Sequence, residues 1–143
     1  MTEHGLWRVS RALHAAINDG EMELLESVLD DDVDWAIYGP IDMFPFLGAR
    51  RGKRAAIDVC RQIAKHIRVR RFDRESVMLG DNQAASLVRY SLTSTSSDKP
   101  ISVRAAQFVQ FKRGRLSCLR VLLDTFDLVE QALGHPIHLP ATV

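Results

Sequence analysis

Asp124 ends an apolar run, 116–123, and is the residue whose position most suggests proton-transfer chemistry. By strand alternation it shares a face with Leu122 and Cys118. If that face is the concave side of a sheet, the carboxyl stands in an apolar cone. Burial disfavours the charged form of a carboxyl and suits it to general acid or base work. Arg89 or Gln107, across the sheet, then orients it or steadies a developing oxyanion. In the competing reading Asp124 caps the last helix or pairs structurally with Arg89. Gln107 interrupts an apolar alternation, so it either hydrogen-bonds inside a pocket or faces outward.

A second set of residues could bind rather than react. Trp35 and Tyr38 fall on opposite faces of a short strand, 33–38. Trp35 is the better wall for a pocket, and Tyr38 could reach its mouth beside Pro40; plain core packing is the competing role of each. Segment 41–48 carries Met43, Phe44, Pro45, Phe46 and Leu47. It is too apolar for an ordinary loop and too broken by Pro and Gly for a helix, so it reads as a lid or rim. His14 lies one position from the apolar stripe of the first helix, where it either projects into the pocket or stays exposed. His135 and His138 have no helix beneath them and no carboxylate nearby, so no metal site is expected. No Ser-His-Asp pattern, phosphate-binding loop or dinucleotide fingerprint occurs, and no cofactor is expected.

These residues need a scaffold, and the hydrophobic pattern supplies one. Leu6, Val9, Leu13, Ala16 and Ile17 recur at helical spacing up to the stop at Asn18-Asp19-Gly20. Met22, Leu25, Val28 and Leu29 form the stripe of a second helix, which Asp19 can cap and which ends in the acidic run 30–32. A third helix spans 51–67, with Ile57, Cys60, Ala64 and Ile67 facing in. Then come strands at 68–72, extended or resumed at 75–79, and at 84–95, followed by a polar hairpin at 94–100. Two further strands flank the Lys112-Arg113-Gly114-Arg115 turn. A short helix at 126–133 closes at Gly134, and 135–143 reads as a loose tail. This order predicts an α+β fold, a curved antiparallel sheet packed against three helices, with a short C-terminal helix.

At 143 residues the chain fits one domain. A formal net charge of +1 gives no global pull toward nucleic acid. Basic clusters at 50–54 and 68–74 are explained by a helix start and a wet sheet face. No apolar run reaches membrane-spanning length, and the N-terminal stretch MTEHGLWRVSR lacks the apolar core of a signal peptide. Cys60 and Cys118, without metal-ligand spacing, read as reduced thiols. A soluble, cytoplasmic protein is expected.

Several motifs in this order carry a family resemblance. They are Leu13 to Gly20, the acidic run through Pro40, Phe46-Leu47-Gly48 followed by Gly52-Lys53-Arg54-Ala55-Ala56-Ile57, and the final hairpin from Phe111 to Asp124. The chain resembles the nuclear-transport-factor-2-like superfamily, and within it SnoaL-like polyketide cyclases and ketosteroid isomerases. The resemblance implies a homodimer formed through the outer face of the sheet. It also implies a small apolar ligand, cyclic or polyketide-like, and cofactor-free acid/base chemistry with Asp124 matching an acid late in the last strand. Where ketosteroid isomerases carry two acids, this chain has Gly39 and a position near Gln107. Where limonene-epoxide hydrolases carry Arg-x-Asp, it has Arg89-Tyr90-Ser91. These departures support the alternative, a non-catalytic ligand-binding or docking module of the same fold.

Overall fold

The apolar stripe of the first helix decides how the chain closes. In the computed structural model, α1 (Thr2–Asp19) buries Leu6, Val9, Ala12 and Ala16 on one face. The structure describes residues 2–97 and 99–141; Met1, Asp98 of the polar hairpin, and Thr142 and Val143 of the tail lie outside the described residues. Asn18 fastens the end of α1 to the sheet. Its Nδ2 donates to Val69 O and its Oδ1 accepts from Val69 N, both at 2.9 Å. α2 (Glu23–Val28) is short, and Glu21, rather than Asp19, accepts from the Glu23 amide at 2.9 Å.

The acidic run does not end a helix. Asp30, Asp31 and Asp32 belong to β1 (Leu29–Tyr38), which starts where α2 stops. β2 (Gly48–Arg51) is a four-residue edge strand on β1, and α3 (Lys53–His66) follows it. Such a short, basic strand has too little apolar alternation to be read from sequence, and its charges suit an unpaired edge. β3 (Ile67–Gly80), β4 (Gln83–Ser94), β5 (Pro100–Lys112) and β6 (Arg115–Leu123) form the antiparallel run. α4 (Thr125–Leu133) ends at Gly134, whose φ of 82° is the left-handed conformation glycine tolerates.

The sheet order is β2-β1-β6-β5-β4-β3. β1 pairs with β6 in parallel, so the sheet is mixed rather than wholly antiparallel. The reason is topological: α3 and four strands intervene before β6 comes to lie beside β1. Arg120 of β6 ties this pair from the outer face, donating to the Asp34 carboxylate at 2.6 Å. That hydrogen bond holds the Asp34 carboxyl below its ordinary range, against the opposing effect of burial.

Two bulges in β3, between Val69 and Arg71 and between Arg74 and Ser76, shift its phase. Ile67 and Val69 face the helices before the first bulge, and Phe72 faces them after it. Arg68 is no solvated strand residue. Its guanidinium donates to carbonyl oxygens of Ala64, Ile67 and Ile17, which satisfies acceptors at the ends of α1 and α3. No helix among the described residues is long and apolar enough to cross a membrane.

Candidate functional site

The concave face of the sheet and helices α1 and α3 enclose a cavity of about 230 Å³. Alternation delivers its walls. β1 contributes Trp35 and Ile37, β6 Leu119, Val121 and Leu123, β5 Val103, Gln107 and Val109, and β4 Tyr90 and Leu92. α1 adds Leu13, with His14 on the exposed rim, and Leu128 of α4 closes one end. Phe44 and Phe46 cover the cavity from the segment between β1 and β2, their ring centroids 5.9 Å apart. Phe46 also stacks on His66 at 6.2 Å.

Polar groups are few. Gln107 Nε2 donates to the Tyr90 hydroxyl. Burial pushes the Tyr90 phenol up to about 12, although the Gln107 hydrogen bond and the Arg74 charge pull the other way. Tyr90 is therefore a neutral donor at pH 7, with its oxygen already engaged and its hydrogen available to an acceptor. Trp35 Nε1, fully buried, has no hydrogen-bond partner. His14 Nε2 lies 3.2 Å from Asn18 Nδ2. Among the described residues no carboxylate lines the cavity, and no three His, Cys, Asp or Glu side chains cluster so as to hold a metal ion.

The structure brings together Trp35, Phe44, Phe46, His14 and Gln107, and leaves Asp124, Arg89 and Tyr38 outside. Leu122 and Cys118 stand on the convex face, and Asp124 lies past the end of β6, at the start of α4. Its side chain is exposed at the start of α4 and makes no capping bond; only its backbone is engaged, donating to Arg104 O at 3.0 Å and accepting from Leu128 N at 3.1 Å. Arg89 also faces outward, where it donates to Ser102 Oγ at 3.0 Å and lies 3.7 Å from Glu75. Tyr38 pairs with Leu122 on the outer face and is exposed. Sequence reasoning passed over Tyr90. The signal was there, in the alternation of Val88, Tyr90 and Leu92 opposite the apolar face of β5.

Gly39, where the resemblance sets a catalytic acid, is crowded by two leucine side chains that a larger residue must displace. A Cβ there would stand 2.7 Å from Leu47 Cδ1 and 3.1 Å from Leu123 Cδ1. Gly39→Asp is expected to push the lid aside and destabilise by ~1–3 kcal/mol, read by thermal unfolding. An unchanged melting temperature would show that the lid does not seat on Gly39.

Cys60 also lines the cavity, and burial raises its thiol to about 12. Thiolate is the reactive form, so iodoacetamide at pH 8 should label the partly exposed Cys118 first and spare Cys60, as mass spectrometry would show. The unfolded thiol and phenol ionise before the folded ones. Their contribution is whole below about pH 9, the ordinary thiol value, and falls away as pH rises toward 12.

The family model described as a SnoaL-like domain matches residues 10–118. No curated protein matches the chain. A candidate isomerase from Rhodopseudomonas palustris is 65% identical, with 94% of this chain and 100% of that one covered and a TM-score of 0.91. A candidate isomerase from Bacillus subtilis shares 16% identity over 94% and 96% of the two chains, with a TM-score of 0.75. An LEH-like epoxide hydrolase from M. tuberculosis shares 14% identity over 93% and 92%, with a TM-score of 0.71. The last two show likeness of fold alone.

Proposed function

Because the chain belongs to the SnoaL-like domain family, with the nuclear-transport-factor-2-like fold, we propose that it binds a small, mostly apolar cyclic molecule. One oxygen of that molecule rests against the Tyr90 hydroxyl. The observation that carries this reading is an apolar cavity whose polar pair, Gln107 and Tyr90, leaves a neutral donor facing inward. Apolar walls supply affinity, and one buried donor supplies orientation. The probe is 1-tetralone, a bicyclic ketone, compared with tetralin, which lacks the oxygen. Calorimetric titration should give saturable binding of the ketone, about tenfold tighter than of the hydrocarbon. Absence of saturable ketone binding would end this reading.

A second reading, cofactor-free proton transfer on the bound molecule, is supported by the isomerase assignment of the 65%-identical relative and by His14 on the cavity rim. His14 takes a proton from the carbon next to the carbonyl. The C–H electron pair becomes the enolate double bond, and Tyr90 stabilises the oxygen. Proton return to another carbon completes an isomerisation. Deuterium uptake into 1-tetralone in heavy water, above buffer and lost in His14→Gln, is the expected sign. Saturable binding without uptake leaves the binding reading alone.

The protein works as a homodimer in this proposal. Tyr38, Leu122, Ala106 and Leu87 form a continuous row across the convex face by strand register, and Tyr38, Leu122 and Leu87 are exposed apolar residues. Arg89, Arg104 and Glu75 beside the row supply both signs of charge for a two-fold contact. Leu122→Arg should convert a dimer to a monomer in sedimentation velocity, whereas a wild-type monomer contradicts the assembly. Two unpaired cysteines support a reducing, cytoplasmic setting.

A further inference from the structure

Arg74 is a charge the binding reading has not used. The first bulge in β3 turns it toward the helices, opposite Val88, and its guanidinium lies 5.3 Å from the Phe72 ring centroid. Its terminal nitrogen donates to Ser10 Oγ at 3.0 Å; Ser10 and Phe72 line the cavity, and Arg74 adjoins them from outside that lining, so a ligand reaches it past Ser10. Phe72 is 5.2 Å from Tyr90, centroid to centroid. Arg74 Nε is buried without a hydrogen-bond partner. None of the ion pairs among the described residues includes Arg74. Its neighbours in sequence are committed elsewhere, Asp73 to Arg71 at 2.8 Å and Glu75 to Arg104 at 3.2 Å.

A partly buried guanidinium with only a hydroxyl and a ring face for company has lost hydration without gaining a counter-charge. A carboxylate offers what is missing. It presents two acceptor oxygens to a planar fork of donors, and it can accept from the Tyr90 hydroxyl as well. We propose that the molecule this cavity takes is an apolar carboxylic acid, its ring or chain among the apolar walls and its carboxylate against Arg74 and Tyr90. This rests on the binding reading above and narrows its ligand class.

The test compares 2-naphthoate with 2-naphthamide, its neutral isostere, by calorimetric titration at pH 7. The acid should bind at least ~10-fold more tightly, as suits a charge-assisted contact. Arg74→Gln should remove that preference while leaving the amide's affinity in place, and Arg74→Lys should keep part of it. Equal affinities for acid and amide in the wild type overturn the proposal without any variant having to fold. So does binding of 1-tetralone with no binding of the acid, which leaves the cavity reading intact. If neither naphthalene compound nor 1-tetralone binds, both fall together.

Discussion

Trp35→Ala is expected to destabilise the protein by ~3–5 kcal/mol, the usual range for removing a large aromatic from a core. Trp35 is 1% exposed, lines the cavity and sits on β1 between β2 and β6. It pairs with Arg50 on one side and Leu119 on the other, so the loss would be felt where the parallel and antiparallel parts of the sheet meet. Domains of this size have about 5–15 kcal/mol in total, so the variant approaches unfolding at body temperature. Trp35→Phe separates packing from polarity. The indole Nε1 has no partner, and deleting an orphaned donor offsets part of the lost contact. The phenylalanine variant should therefore lose under ~2 kcal/mol by urea denaturation. A loss as large as that of alanine would mean the indole nitrogen is hydrogen-bonded after all.

The second large effect concerns the polar pair. Tyr90→Phe leaves the Gln107 amide buried beside a hydrocarbon, and Gln107→Leu strips Tyr90 of its partner. Each should destabilise by ~1–3 kcal/mol, the price of one unsatisfied buried group. The double variant replaces both with apolar groups and should lose less than the sum of the two, with a coupling of ~0.5–3 kcal/mol. Additive losses would mean the two side chains do not act as a unit. Both Tyr90→Phe variants should also lose the phenol's part of the decline in stability between about pH 10, its ordinary value, and 12.

Much of this architecture was legible because burial and alternation coincide. In β5, Ile101, Val103, Ala105, Val109 and Phe111 are all buried, so Gln107 could be recognised as a polar interruption of an apolar face. In β6 the pattern fails. Leu119, Val121 and Leu123 face the cavity, yet Leu122 on the opposite face is just as apolar, so the sequence does not say which side is inside. The conditional placing of Asp124 in the cone rests on that ambiguity. Arg74 was hidden for another reason. It lies in a basic run that reads as solvent-facing, and a single bulged residue turns it inward. The parallel β1–β6 pairing joins segments more than eighty residues apart, as Asp34 with Cys118, and no local pattern records it.

What remains is a question of where one oxygen sits. Crystals grown with 1-tetralone should show the ketone inside the cavity with its carbonyl oxygen within hydrogen-bonding distance of Tyr90 Oη, about 2.5–3.0 Å. Density for the ketone only on the convex face, or a carbonyl turned away from Tyr90 toward the Phe44 and Phe46 cover, would contradict the account.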